Sequence, residues 1–290
     1  MTTMTERPLV VGVDGSEPCL RAVDWAADEA ALRRLPLRVV HASLWERYEG
    51  AVPAGDPGRP SEQIMADDIV AAAARRARGR HPALTVSADV APEEPAYTLQ
   101  REGRYATAVV VGTRGRGGLA GAVLGSVSLT VATHAHCPVI VVRGDHDDQA
   151  GPAYHGRVVV GVGEEGKASE AIRFACEEAR LRGVPLEAVR AWRWPAREST
   201  DHPLLAGQPA RLHEERAAEA LQTALLDAPH DVDLRRRTAE GHPWKVLVDA
   251  SRHADLLVVG SRRRHGHLGR VAHAALHHSA CPVAVVPQRA

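Results

Sequence analysis

The 290-residue sequence has no excess of charge of either sign, since 36 Lys and Arg balance 36 Asp and Glu. A nucleic-acid or anionic-membrane partner favours a basic excess, so neither is expected. No apolar run reaches the ~18 residues from which a membrane-crossing helix is read. Met1 to Pro8 lacks the basic-then-apolar build of a secretion signal, so a cytoplasmic protein is expected. Only four cysteines occur, Cys19, Cys137, Cys176 and Cys281, with no Cys-x-x-Cys spacing. They read as reduced, packed thiols and exclude a disulfide frame. Also missing is any nucleophile–base pair or paired-carboxylate arrangement, so no catalytic residue is assigned. Asp24, Asp28 and Glu29 read as a solvated helix face.

What the chain does have is an internal repeat. Arg7 to Asp14 (RPLVVGVD) matches Gly156 to Gly163 (GRVVVGVG), and Ala22 to Ala26 matches Ala171 to Ala175. Leu35 to Val39 matches Val184 to Ala188, and Pro95 to Gly112 matches Pro243 to Gly260. Cys137 to Val142 (CPVIVV) matches Cys281 to Val286 (CPVAVV). Blocks recurring in one order mark a duplication. The expected domains are 1–145 and 156–290, joined by the polar linker 146–155. A domain of ~150 residues buries about 70% of its unfolded surface, enough for a core of its own.

In copy one, Leu9 to Val13, Leu37 to His41, Leu84 to Ala88, Ala108 to Val111 and Val139 to Val142 are short and β-branched. They read as parallel strands buried on both faces. Between them, Pro18 to Arg34, Ser61 to Arg80, Pro95 to Gly103 and Ser126 to His134 carry helical periodicity. This alternation predicts an α/β fold: a doubly wound, Rossmann-like parallel sheet with helices on both faces, once per copy.

Ligands of such sheets bind beyond the carboxyl ends of the strands, where strand order reverses. Two segments of copy one have suitable chemistry there. One is Asp14-Gly15-Ser16 after strand one. The other is Gly112-Thr113-Arg114-Gly115-Arg116-Gly117-Gly118 after strand four, leading through Gly121 to Gly125-Ser126. Glycines admit phosphate oxygens to backbone N–H groups, and a helix opening at Ser126 presents its positive dipole end. A bare turn is the alternative, although six glycines in fourteen residues exceed what a turn needs. Gly115 to Ala120 also fits the dinucleotide pattern G-x-G-x-x-A, but after the fourth strand and not the first.

The pattern Gly112-x2-Gly115-x9-Gly125-Ser126, between an apolar strand and His136-Cys137-Pro138, resembles the ATP-binding signature of the universal stress protein family. Asp14 completes it, and the resemblance covers nearly the whole chain as two tandem domains. It implies five strands per domain in the order 3-2-1-4-5. It further implies that Gly12, Asp14 and the strand-two end near Ala42 face the adenosine. Val111, Gly112, Gly115, Gly125, Ser126 and Val127 would wrap the ribose and phosphates of ATP, with Mg2+. A stress-response regulator with at most slow hydrolysis is implied, its two copies packed as an intrachain pseudo-dimer; a homodimer of whole chains is compatible with the resemblance. A nucleotide-independent interaction module and a nucleotide-transferring enzyme are the alternatives.

Copy two departs from the pattern. Gly163 stands for Asp14, Arg263 for Gly115, and Gly269-Arg270 for Gly125-Ser126. The loop is also four residues shorter, running 260 to 281 where copy one runs 112 to 137. One nucleotide site per chain is therefore expected. Gly161 to Ala168 nearly spells a Walker A loop, but Ala168 lacks the Mg2+-binding hydroxyl and Glu164 and Glu165 repel phosphate. Among the 16 histidines, His273 and His277 lie one helical turn apart. Without acidic or Cys ligands at a fitting spacing, no metal site is expected; solvated helix-end histidines that complement the dipole are. Trp192 and Trp194 read as loop residues that pack over a surface.

Overall fold

A computed structural model of the chain describes residues 7–44, 61–113, 124–143, 155–163, 169–193, 208–261 and 267–288. The chain divides into two compact units, Met1–Val142 and Arg143–Ala290. Residues 146–154 of the expected linker lie outside the described residues.

The first unit contains β1 (Leu9–Gly12), α1 (Glu17–Arg33), β2 (Leu37–Ala42), α2 (Ser61–Arg80) and β3 (Val86–Ala91). It continues with α3 (Pro95–Glu102), β4 (Ala108–Gly112), α4 (Ser126–His134) and β5 (Val139–Val142). The strands lie in the order β3-β2-β1-β4-β5, and each neighbouring pair is parallel. The second unit contains β6 (Val158–Gly161), α5 (Glu170–Arg182), β7 (Leu186–Trp192), α6 (Gln208–Ala224) and β8 (Leu234–Glu240). It continues with α7 (Pro243–Ala250), β9 (Leu256–Ser261), α8 (Arg270–His278) and β10 (Val283–Pro287). Its order, β8-β7-β6-β9-β10, is that of the first unit, again parallel throughout. The expected doubly wound α/β fold is the one found, in both copies.

Continuous apolar runs explain the centre of each sheet. All residues of β4 and β5 are buried, as are Leu9, Val10 and Val11 of β1. The strand expected at Leu84 to Ala88 forms later, at Val86–Ala91, and is not buried on both faces. Ser87, Ala88 and Asp89 are exposed, because β3 has β2 on one side only.

Helix α1 opens at Ser16, with Glu17 and Pro18 in the favoured first-turn positions. It closes at Arg34 in the left-handed region (φ 56°), whereas α5 closes at the equivalent Gly183 (φ 65°). Glycine reaches that conformation without the steric cost that Arg34 bears.

The face of α1 read as solvated is instead paired. Asp24 receives two hydrogen bonds from Arg76 (2.6 and 2.5 Å), and Asp28 receives two from Arg80 (2.5 and 2.7 Å) and one from His81 (2.7 Å). Glu29 is 1% exposed and bonded to Arg33, one turn along. Copy two repeats this buried pair as Glu178 with Arg182, at 3.1–3.2 Å. Periodicity around one helix does not reveal that α2 lies against α1 and brings Arg76 and Arg80 to Asp24 and Asp28.

All four cysteines are free thiols and buried. Burial pushes the Cys137 and Cys281 thiols up to about 12. Trp192 is not a loop residue; it ends β7, with its indole Nε1 buried and without a hydrogen-bond partner among the described residues. Trp194 lies outside the described residues. The α8 histidines are not uniformly solvated either. The His273 and His277 rings stack at 4.4 Å, and burial, with His273 beside it, lowers the His277 pKa. No group of three metal-ligating side chains occurs among the described residues.

Candidate functional site

Parallel pairing of β1 with both β2 and β4 sets the ends of these three strands side by side. Gly12 ends β1 opposite Val40, Ala42 ends β2 opposite Ala91, and Gly112 ends β4 opposite Val142. Asp14, just past β1, lies at the same edge. This is the switch point where α/β sheets bind ligands.

The loop after β1 is held by its own side chains. Asp14 Oδ1 accepts from the Ser16 backbone N–H (3.0 Å) and hydroxyl (2.6 Å), across Gly15 at φ 77°. The Ser16 hydroxyl is thus committed to Asp14 and makes no cap bond to α1. His41, which the sequence reading passed over, donates from Nδ1 to the Val13 carbonyl at 2.7 Å. This bond ties the end of β2 to the same loop.

Two of the expected site glycines have a packing reason to be glycine. A Cβ on Gly12 would stand 2.8 Å from Leu99 Cδ1 of α3, and one on Gly161 of copy two 2.6 Å from Leu247 Cδ1. A Cβ on Gly112 would stand 2.7–3.1 Å from backbone atoms of Pro18 and Cys19, so α1 begins directly over it. Val111 is buried beside it in β4.

The far side of the loop is the start of α4. Gly125 is its N-cap, in extended conformation, and its N–H is taken by the Thr113 carbonyl at 2.7 Å. The first intrahelical bond runs from Leu129 N–H to the Gly125 carbonyl at 3.0 Å. The amides of Ser126, Val127 and Ser128 precede that bond, and no side chain among the described residues caps them. Ser126 is exposed and Val127 half-buried. With no acidic residue in the first turn, these N–H groups offer an anion site. Buried Ser128, also passed over in the sequence, donates its hydroxyl to the Gly112 carbonyl at 2.7 Å. Ser126 and Val127 open onto a cavity of about 340 Å3, lined also by Glu94, Ala96, Tyr97, Gln100 and Thr130. Gly115 lies outside the described residues, as do Arg114, Arg116 and Gly117 to Gly121.

In copy two the Asp14 position is Gly163, whose carbonyl accepts from Arg190, the residue equivalent to His41. Gly269 caps α8 as Gly125 caps α4, but Arg270 replaces the serine. Ala272 stands at the Ser128 position, so the bond to the end of β9 is absent. Of the Walker-like segment, Glu164 to Ala168 lie outside the described residues. The helix there opens beyond the motif, at Ser169, whose Oγ accepts from Ile172 N–H at 3.2 Å.

Comparison with known proteins agrees with this organisation. The sequence profile of the universal stress protein family matches residues 6–143 and again 155–287. The universal stress protein Rv2005c of Mycobacterium tuberculosis is 34% identical over 293 residues, covering 97% of both chains. The universal stress protein Rv2623 of the same organism is 32% identical over 283 residues, covering 90% of this chain and 88% of its own. The crystal structure of a universal stress protein from Archaeoglobus fulgidus superposes with a TM-score of 0.66 at 16% identity, over 98% and 99% of the two chains. That likeness establishes the shared fold, and the profile and the mycobacterial relatives establish descent. The chain belongs to the universal stress protein family, which it represents twice over.

Proposed function

We propose that the first domain binds ATP with Mg2+, that the chain holds one nucleotide, and that it acts as a cytoplasmic stress-response regulator. The observation that carries this reading is the uncapped start of α4, at Ser126 and Val127, across the loop from Asp14 at the ends of β1 and β4. Amides and a positive helix end suit phosphates, and Asp14 suits the hydroxyls of a ribose. Gly12 and Ala42 flank the adenosine side, and Gly112, Gly115 and Gly125 shape the loop around the phosphates. The changes at Gly163, Arg263 and Arg270 leave the second domain without this cradle and make it a structural partner within an intrachain pseudo-dimer. Titration calorimetry with Mg-ATP should give one site per chain in the wild type. Asp14→Ala and Gly115→Arg should abolish it. No binding to the wild type below millimolar ATP would refute the reading.

A second reading has its own observation. The Pro18 and Cys19 backbone requires glycine at position 112, and the Leu99 side chain favours it at position 12, whether or not a ligand binds. On that reading the domain is a nucleotide-independent interaction module. Thermal denaturation separates the two, because a hundredfold excess of ligand over Kd stabilises by about 2.7 kcal/mol. A melting temperature indifferent to ATP favours the module.

A further inference from the structure

Burial does not tell the two copies apart where β3 joins β2 and β8 joins β7. Leu37–Ala42 and the first six residues of β7, 186–191, are buried to the same degree at each position. The six residues of β3 and the first six of β8 match in the same way, each with three exposed residues after the first. The register is shared too, since Leu37 pairs with Val86 and Leu186 with Leu234. Each pair of strands is separated in the chain by a long connection and a helix, and closing such a loop discriminates weakly between near and distant partners.

Charge does tell them apart. Arg38 of β2 lies 3.1 Å from Asp89 of β3, two residues beyond its register partner Ser87. At the equivalent positions, Glu187 of β7 lies 3.5 Å from Arg237 of β8, two residues beyond Arg235. Acid and base have changed places between the copies. The flanking charges follow the exchange: Glu102, the last residue of α3, lies 3.0 Å from Arg38, and Arg157, just before β6, lies 3.0 Å from Glu187. Pairing β8 with β2 would therefore set Arg237 against Arg38, and pairing β3 with β7 would set Asp89 against Glu187. Like charges across neighbouring strands destabilise the pairing. The Glu187 side chain is only 12% exposed, so solvent screens it little.

We propose that the reversed charge pair sorts the edge strands as the duplicated chain folds, keeping β3 in the first sheet and β8 in the second. Chains built of several similar units misassemble between those units. Where two partners match in shape and burial, repulsion built against the wrong one supplies the discrimination. The device needs no ligand and is independent of the nucleotide site.

Refolding of the full chain by dilution from denaturant tests it, with the native fraction read by size-exclusion chromatography and circular dichroism. Glu187→Arg with Arg237→Asp gives the second copy the charges of the first and should lower the native fraction about twofold or more. Arg38→Glu with Asp89→Arg, which gives the first copy the charges of the second, should do the same. All four substitutions together restore the contrast in mirror image, and the native fraction should rise again towards that of the wild type. A purely local role predicts the reverse, because the quadruple variant brings like charges together at both Arg157 and Glu102. The proposal is overturned if either double variant refolds as the wild type does, or if the quadruple variant refolds no better than the doubles.

Discussion

Ser128 donates its hydroxyl to the carbonyl of Gly112 at 2.7 Å, fastening the first turn of α4 to the end of β4. Both residues are buried, so the bond holds the start of α4 against the end of β4 out of contact with water. Ser128→Ala leaves the Gly112 carbonyl without this donor and should cost about 1–3 kcal/mol. Denaturant unfolding measures the loss. Calorimetry should show weaker ATP binding in the same variant, because the α4 amides are no longer held over β4.

Gly112 and Gly12 should respond differently to alanine. At Gly112 the added methyl meets the Pro18 and Cys19 backbone, which cannot rotate away, and a loss of about 1–3 kcal/mol is expected. At Gly12 the obstacle is the Leu99 side chain, which can change rotamer, so the loss should be smaller. A double-mutant cycle of Gly12→Ala with Leu99→Ala should show strong coupling. Additive losses would mean that Leu99 is not the obstacle.

Glu29 and Arg33 form an ion pair whose side chains are 1% and 5% exposed. Removing only the carboxylate, as in Glu29→Ala, takes this counter-charge from a buried guanidinium and should cost about 3–5 kcal/mol. Replacing both with Met should recover most of that loss, since two desolvated charges are exchanged for packed apolar groups. Thermal melts of the single and double variants test the comparison, and Glu178 with Arg182 offers an independent repeat of it.

His277 supplies a pH dependence. Burial lowers its folded pKa beneath the ordinary value of 6.5. Below 6.5 the unfolded chain therefore takes up a proton that the folded chain resists. The stability this residue contributes is complete above pH 6.5 and declines as the pH falls through its folded value. Urea unfolding between pH 7.5 and 5 should show that decline, and His277→Gln should flatten it. An unchanged slope in the variant would assign the decline to other groups.

Much of the fold was legible because the chain states it twice. The runs at Leu9, Ala108 and Val139 are apolar on both faces, and such runs satisfy only the buried middle of a parallel sheet. The helix over Pro18 to Arg34 was equally local, since its apolar periodicity and the proline at its start lie within one stretch of chain. Asp14, Gly112 and Ser126 could be named in advance because each follows a strand or opens a helix. What periodicity missed lay where a second element intervened. Asp24, Asp28 and Glu29 looked solvated until α2 supplied arginines and burial enclosed the third.

The amino-acid sequence by itself determined the duplication, the α/β alternation and the loss of Asp14, Gly115 and Ser126 equivalents in copy two. These are properties of spacing and identity, which need no coordinates. Only the tertiary structure decided that Ser128 fastens Gly112, that His41 reaches Val13, and that His242 turns from its helix to Arg193. Each of these joins residues from different elements, and a hydrogen bond depends on distances of a few tenths of an ångström, which parallel pairing of the strands sets and linear order does not.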